Sequence, residues 1–269
     1  MKMDHKIKLQ FAHEEQIARV TLVAPKANIL DQEMVHQLID TLDQLAGHTN
    51  LKGIVLAGEG AHFSFGASVQ EHLPEQISNT LLDLRRLLLK MGAAHASLIA
   101  AVRGQCLGGA LELALTCDLI FAEESAKFGL PEIKLAVFPP AGAALLPLRI
   151  GAGRAAEMVL TGETWSAARA LSIGLVNRVF PDGELEAHLD SWLASNFLPR
   201  SSAALRFAAE VGRRPWIQIL ERELPVLESL YLDDLMEHGE AVEGLQAFLE
   251  KRQPSWQSKE AVSSPVTAK

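Results

Sequence analysis

Nowhere does this sequence run for eighteen uninterrupted apolar residues, and its opening MKMDHKIKLQ has no long apolar stretch, so neither a membrane span nor a signal peptide is expected. Cysteine is scarce. The 2 cysteines, Cys106 and Cys117, both fall in the central apolar stretch, which points away from a disulfide framework and toward buried reduced thiols in a cytoplasmic setting. No histidine pattern accompanies Cys106, so a nucleophilic thiol is not the expected chemistry. Positive charge is outnumbered: 25 Lys and Arg stand against 33 Asp and Glu, a formal net charge of -8, which argues against nucleic acid or an anionic membrane as partner. There is no repeat of fixed period and no low-complexity block.

What the chain does have is enough apolar residue, 48% of 269, to bury one large core or one core with an appended helical region. Ile7–Phe11 and Ile17–Val23 alternate apolar and polar residues around a polar His13–Gln16 loop, the pattern of a hairpin. After Pro25, Asp31 is placed to cap a helix in which Val35, Leu38, Leu42 and Leu45 recur at helical spacing, ending near Gly47. Gly53–Ala57, Leu98–Val102, Leu119–Ala122 and Val176–Phe180 read as short strands, and Leu81–Met91 reads as a helix buried on nearly every side. From Glu184 to about Arg252 the pattern is helical, with breaks expected at Pro199, Pro215, Pro225 and Gly239. The serine- and proline-bearing end, residues 253–269, is expected to be a disordered tail.

The chain is organised around Val102–Cys117, VRGQCLGGALELALTC, which reads as a strand entering the glycine pair Gly108-Gly109 and then an apolar helix with one acid, Glu112. Glycines at such a turn let backbone approach a ligand closely, and the first helical N–H groups suit an oxyanion. Glu112 in that first turn is either a capping glutamate favoured by the helix dipole or a buried acid with a chemical task. Farther on, Lys127–Glu132 (KFGLPE) turns through Gly129 and Pro131, and Pro131 holds Glu132 just past a rigid corner; a solvated surface acid is the alternative. The segment IGAGRAA (Ile150–Ala156) mimics a dinucleotide fingerprint. It follows the helix-like LLPLR rather than a strand, so the expected role of its glycines is to break one helix and start the next.

Seven ordered segments, PKANIL, FSFGASV, AAVRGQCLGGALELALTCD, AKFGLPEIKL, GAGRAAEMVLTGE, GLVNRV and EGLQAFLEKR, together resemble the crotonase, or enoyl-CoA hydratase/isomerase, family over roughly Ile7 to Arg252. The resemblance implies an α/β fold, a ββα spiral core over residues 1–195 followed by a helical trimerisation region over 196–252. It implies an acyl-CoA thioester substrate, a homo-oligomer (trimer or dimer of trimers), no metal, and no cofactor beyond the coenzyme A of the substrate. By motif position, the N–H groups of Ala67 and Gly109 would hold the thioester oxygen as it becomes an enolate. Glu112 and Glu132 match the two catalytic glutamates of the hydratases, one carboxylate serving as base and one carboxyl as proton source. CoA and substrate would be held near Ala27, Asn28 and Ile29 and by Gly66, Ala67, Ser68, Val69 and Gln70, with Gly108, Gly109 and Pro140; Lys251 is either a charge supplied by a neighbouring subunit or a solvated helix-end lysine.

Two departures stand out. Ser68 occupies a position where the family commonly has aspartate, and Pro139-Pro140-Ala141-Gly142-Ala143 replaces the usual P-G-A-G-G, so Pro140 brings no N–H to a water or substrate. Together with SFGASVQEHLP and VRGQCLGG these resemble the branch that hydrates cyclohexa-1,5-diene-1-carbonyl-CoA in anaerobic degradation of aromatic compounds. An ordinary short-chain enoyl-CoA hydratase and a non-catalytic CoA-binding homologue are the alternatives.

Overall fold

A computed structural model of the chain describes residues 5–256. The hairpin expected at the start is present: β1 (Ile7–Ala12) pairs antiparallel with β2 (Ile17–Leu22), Leu9 facing Val20 across the ladder. From β2 onward the main sheet is parallel, through β3 (Gly53–Gly58), β4 (Ser97–Val102), β6 (Leu119–Glu123) and β9 (Arg178–Phe180), in the order β1-β2-β3-β4-β6-β9. Parallel strands need crossovers that cover the sheet, and β4, buried along its whole length, shows the result. The crossover helices α1 (Gln32–Ala46) and α2 (Ile77–Gly92) pack together; Asp31 caps α1 by accepting the Met34 N–H at 2.9 Å. Between Thr80 and Gly92 only Arg86 of α2 is exposed.

The central stretch folds differently from a single strand entering a helix. Gly104, at φ +51°, ends β4, and the chain moves into β5 (Gln105–Leu107) of a second sheet ordered β5-β7-β8, with β7 (Lys127–Gly129) and β8 (Thr164–Ser166). Only then does α3 (Gly109–Leu115) begin, every residue of it buried. A Cβ on Gly104 would lie 2.2 Å from the Ala61 carbonyl oxygen, so the exit from β4 is available to glycine alone.

Past β7, a 3-10 turn over Pro131–Leu135 leads to α4 (Pro140–Ile150) and α5 (Ala152–Thr161), with Gly151 between them, as expected of a helix break; Gly153 lies inside α5. Then come α6 (Ala167–Ser172), β9, α7 (Leu185–Asn196), α8 (Ser202–Arg222), α9 (Leu224–Ser229), a π-helical turn over Leu230–Asp234 and α10 (Gly239–Leu249). Pro215 does not break the chain: α8 runs through it for 21 residues. Its hold on the core explains this. Arg213, fully buried, donates to both carboxylate oxygens of Asp118 and to the carbonyls of Ala94 and Ala96, while Trp216 and Ile217 close on Gly92 of α2. Tertiary contact outweighs the local penalty of a mid-helix proline, about 3 kcal/mol. Both cysteines are free and buried. Of the tail expected from residue 253, residues 257–269 lie outside the described residues.

Candidate active site

Two chain segments far apart in sequence are drawn together at the second sheet. Phe63 donates to the Arg103 carbonyl at 2.8 Å, Ser64 to Gln105 at 3.0 Å, and Leu107 back to Ser64 at 3.2 Å. Contact becomes so close at Gly66 (φ +96°) that a Cβ there would sit 2.4 Å from the Leu107 carbonyl oxygen. This approach sets the Ala67 amide beside Gly109, whose own Cβ position would be 3.3 Å from the Ala67 nitrogen. Among the described residues, no acceptor is bonded by the N–H of Ala67 or of Gly109. Two neighbouring N–H groups without an acceptor, one of them the first of α3, are the kind of donor pair that suits an oxyanion.

Glu112 is 3% exposed, and it does not cap its own helix. Its Oε1 accepts the Gly142 N–H of α4 at 2.7 Å. Helix α4 has no side-chain cap at Pro139, and Pro140 at its first position has no N–H to satisfy. The free donors are the next ones, and Glu112 takes them from another helix. Burial pushes its carboxyl up to about 7, against the pull of the Gly142 and Ala141 N–H groups.

Glu132 stands on the second residue of the Pro131–Leu135 turn and is no solvated surface acid: its Oε2 is sealed from solvent without a hydrogen-bond partner. Burial first, then the charge of Glu112, raises it to about 8. Its Oε1 would lie 2.7 Å from a Cβ on Gly108, and Oε2 of Glu112 would lie 3.7 Å from one on Gly109. Thus the glycine pair is flanked by both acids. Gly108, at φ +54° and ψ -130°, occupies a conformation that glycine alone adopts freely.

A cavity of ≈ 470 Å³ joins these groups, lined by Ala67, Val69, Gly108, Gly109, Glu112, Glu132 and Pro140 among the residues singled out from sequence. Gly66 and Ser68 adjoin it through Ala67. The others sit off the cavity. Asn28 is buried at φ +46° and spends its side chain on the loops, accepting from Ala24 N–H at 2.9 Å and donating to the carbonyls of Glu59, His62 and Phe63. Ala27 accepts the Phe65 N–H at 3.0 Å, so 24–30 is zipped to the segment that presents Ala67, with Ile29 between. Gln70 and Lys251 are exposed; Arg252, beside Lys251, lines the cavity.

Several cavity residues carry no motif in the sequence. His72 directs Nδ1 at the Ser68 carbonyl, 2.8 Å away, and burial lowers its pKa, so Nδ1 bears the proton and Nε2 is an acceptor. Phe138 and Tyr231 form an aromatic wall, their ring centroids 5.4 Å apart. Tyr231 is the single tyrosine of the chain. A lone tyrosine in an apolar helical stretch is the one signal that could have singled it out.

Comparison with known proteins identifies the family. Residues 12–259 match the enoyl-CoA hydratase/isomerase family. A cyclohexa-1,5-dienecarbonyl-CoA hydratase of Thauera aromatica is 38% identical over 94% of this chain and 97% of its own length. A 2,3-dehydroadipyl-CoA hydratase of Escherichia coli K12 is 36% identical over 92% of this chain and 98% of its own. Among solved structures, an enoyl-CoA hydratase from Mycobacterium avium subsp. paratuberculosis K-10 superposes with a TM-score of 0.82 at 28% identity, covering 94% of this chain and 98% of that one.

Proposed function

The chain belongs to the enoyl-CoA hydratase/isomerase family, and from that premise we propose that it is a hydro-lyase adding water to an α,β-unsaturated acyl-CoA, with a cyclic dienoyl thioester as its substrate. The observation that carries this reading is a pair of glutamates, Glu112 buried and Glu132 with its Oε2 sealed from solvent, flanking a glycine turn whose free N–H lies beside that of Ala67 in one cavity.

The site's chemistry follows from its charges. Glu112, whose charged form is favoured by two N–H groups, is the carboxylate that takes a proton from water; Glu132, with no partner on Oε2 and the charge of Glu112 beside it, is the carboxyl that gives one. The water oxygen bonds to the β-carbon, and the electron pair of the double bond moves into the thioester oxygen. There the N–H groups of Ala67 and Gly109 stabilise charge that exists only during reaction. The enolate then takes the Glu132 proton at the α-carbon of a linear acyl group, or at the far end of the extended dienolate of a ring. One H and one OH have been added, and a proton returned from Glu112 to Glu132 resets the pair.

The ring is favoured by the 38% identical Thauera aromatica relative and by a cavity walled by Phe138, Val137, Leu135 and Leu81. Ala67–Val69, with Lys134 and Arg252 on the same cavity, is the part of the site that receives CoA in this reading. Exposed apolar residues on the C-terminal helices, Phe207, Val211, Val226 and Phe248, support a homo-oligomer, and light scattering that returned a monomer would refute that part.

The decisive assay follows loss of conjugated absorbance with cyclohexa-1,5-diene-1-carbonyl-CoA and, separately, crotonyl-CoA. The ring should be preferred in kcat/KM by roughly tenfold or more. Turnover of crotonyl-CoA alone would discard the ring, and hydration of neither would discard the hydro-lyase.

A further inference from the structure

On the cavity that holds the two acids is a hydroxyl without a hydrogen-bond partner among the described residues. Tyr231 is 1% exposed, its ring packed on Phe138 and among Ile77, Leu81, Val137, Ala241 and Leu245, yet its OH has no hydrogen-bond partner among the described residues. It lines the same cavity as Glu132, whose Oε2 is the other carboxyl or hydroxyl oxygen left without a partner. A buried hydroxyl without a partner is a penalty that phenylalanine would avoid in the same space. It is satisfied only by something that enters the cavity. The backbone points the same way: Tyr231 stands on the π-helical turn Leu230–Asp234, an uncommon geometry that concentrates at functional sites.

We propose that the Tyr231 hydroxyl donates a hydrogen bond to the oxygen that enters as water and stands on the β-carbon of the product, making Tyr231 a third polar group of the reacting centre. The inference rests on the hydro-lyase reading and deepens it. Pro139 and Pro140, on the cavity wall, have no N–H to offer that oxygen, and His72 presents an acceptor rather than a donor. Burial, followed by the charges of Glu132 and Glu112, pushes the phenol far above its ordinary range, so it stays a donor wherever the enzyme works. In the dehydration direction the C–O bond breaks and its electron pair goes to the departing oxygen, which takes up the proton that makes it water. A donor beside that oxygen stabilises the charge as it develops. By microscopic reversibility the same contact orients water for attack.

The test is Tyr231→Phe in the full chain, which keeps the ring and removes one oxygen. Hydration kcat on the preferred enoyl thioester should fall about tenfold or more with KM within about threefold. Binding of 3-hydroxybutyryl-CoA should weaken about three- to tenfold, and binding of butyryl-CoA, which has no hydroxyl, should be unchanged. The melting temperature should hold or rise, because an unbonded hydroxyl has been deleted. Wild-type kcat with equal retention of both ligands overturns the proposal while leaving the hydro-lyase reading standing. A lower melting temperature with both ligands weakened equally also overturns it, by revealing a structural hydroxyl. A wild-type protein that hydrates nothing, yet prefers 3-hydroxybutyryl-CoA through Tyr231, would sink the hydro-lyase reading and sustain this contact.

Discussion

Replacing Glu132 by glutamine should make the protein more stable at alkaline pH while removing its activity, and the size of both effects can be worked from the site. In the unfolded chain this carboxyl titrates near its ordinary 4.5; in the fold, burial and the charge of Glu112 hold it at about 8. Below 4.5 both states are protonated and the group costs nothing. As pH rises through 4.5 toward about 8 the unfolded state loses its proton while the folded state must keep it, so stability falls, and above about 8 the loss levels off. The interval from 4.5 to about 8 is about 3.5 pH units, which at about 1.4 kcal/mol each caps the penalty near 5 kcal/mol. Water entering the cavity, and the unpartnered amide that glutamine introduces, reduce the net gain to about 2 kcal/mol at pH 9, with near equality at pH 5. Urea denaturation of both proteins at fixed concentration from pH 5 to 9 measures the difference directly. Activity, followed by loss of enoyl-thioester absorbance, should drop roughly 10²- to 10⁴-fold in the same variant. Parallel stability curves, or a variant less stable than wild type at pH 9, would refute the burial and charge argument for Glu132. Retained turnover would refute its role as proton source.

Gly109→Pro deletes one oxyanion N–H at the first position of α3, where proline is compatible with a helix, and kcat should fall about 10²- to 10³-fold in a protein that keeps its far-UV spectrum; an unchanged kcat would remove Gly109 from the site. Asn28→Ala cuts the ties to Ala24, Glu59, His62 and Phe63 and leaves a non-glycine residue at φ +46°, so unfolding free energy should drop by about 2–4 kcal/mol. A loss under about 0.5 kcal/mol in urea titration would show that the loop holds without it.

Much of this protein was decided locally and could be read that way. The β1–β2 hairpin follows from alternation around a polar loop, α1 from the Asp31 cap and its apolar spacing, and the Gly151 break from glycine between two helical patterns. The cap, the helical spacing and the glycine break are set within four or five residues, and the hairpin by one short turn joining consecutive strands, so near neighbours in sequence suffice. Glu112 and Glu132 were legible as candidates because each stands at a turn whose glycine or proline has a local meaning. Their surroundings were not legible. That β5 leaves the main sheet, that the Gly142 N–H comes from 30 residues away to hold Glu112, and that Tyr231 closes the cavity from the C-terminal helices are consequences of sheet topology and crossover packing. Pro215 marks the same divide from the other side: its local rule calls for a break, and the Arg213 anchor in the core overrides it. Sequence alone determined the hairpin, α1, the strands of the main sheet and two candidate acids. The tertiary structure decided which way each acid is biased and what else faces them, because burial, like charge and unpaired hydrogen-bonding groups exist only once distant segments share one dry cavity.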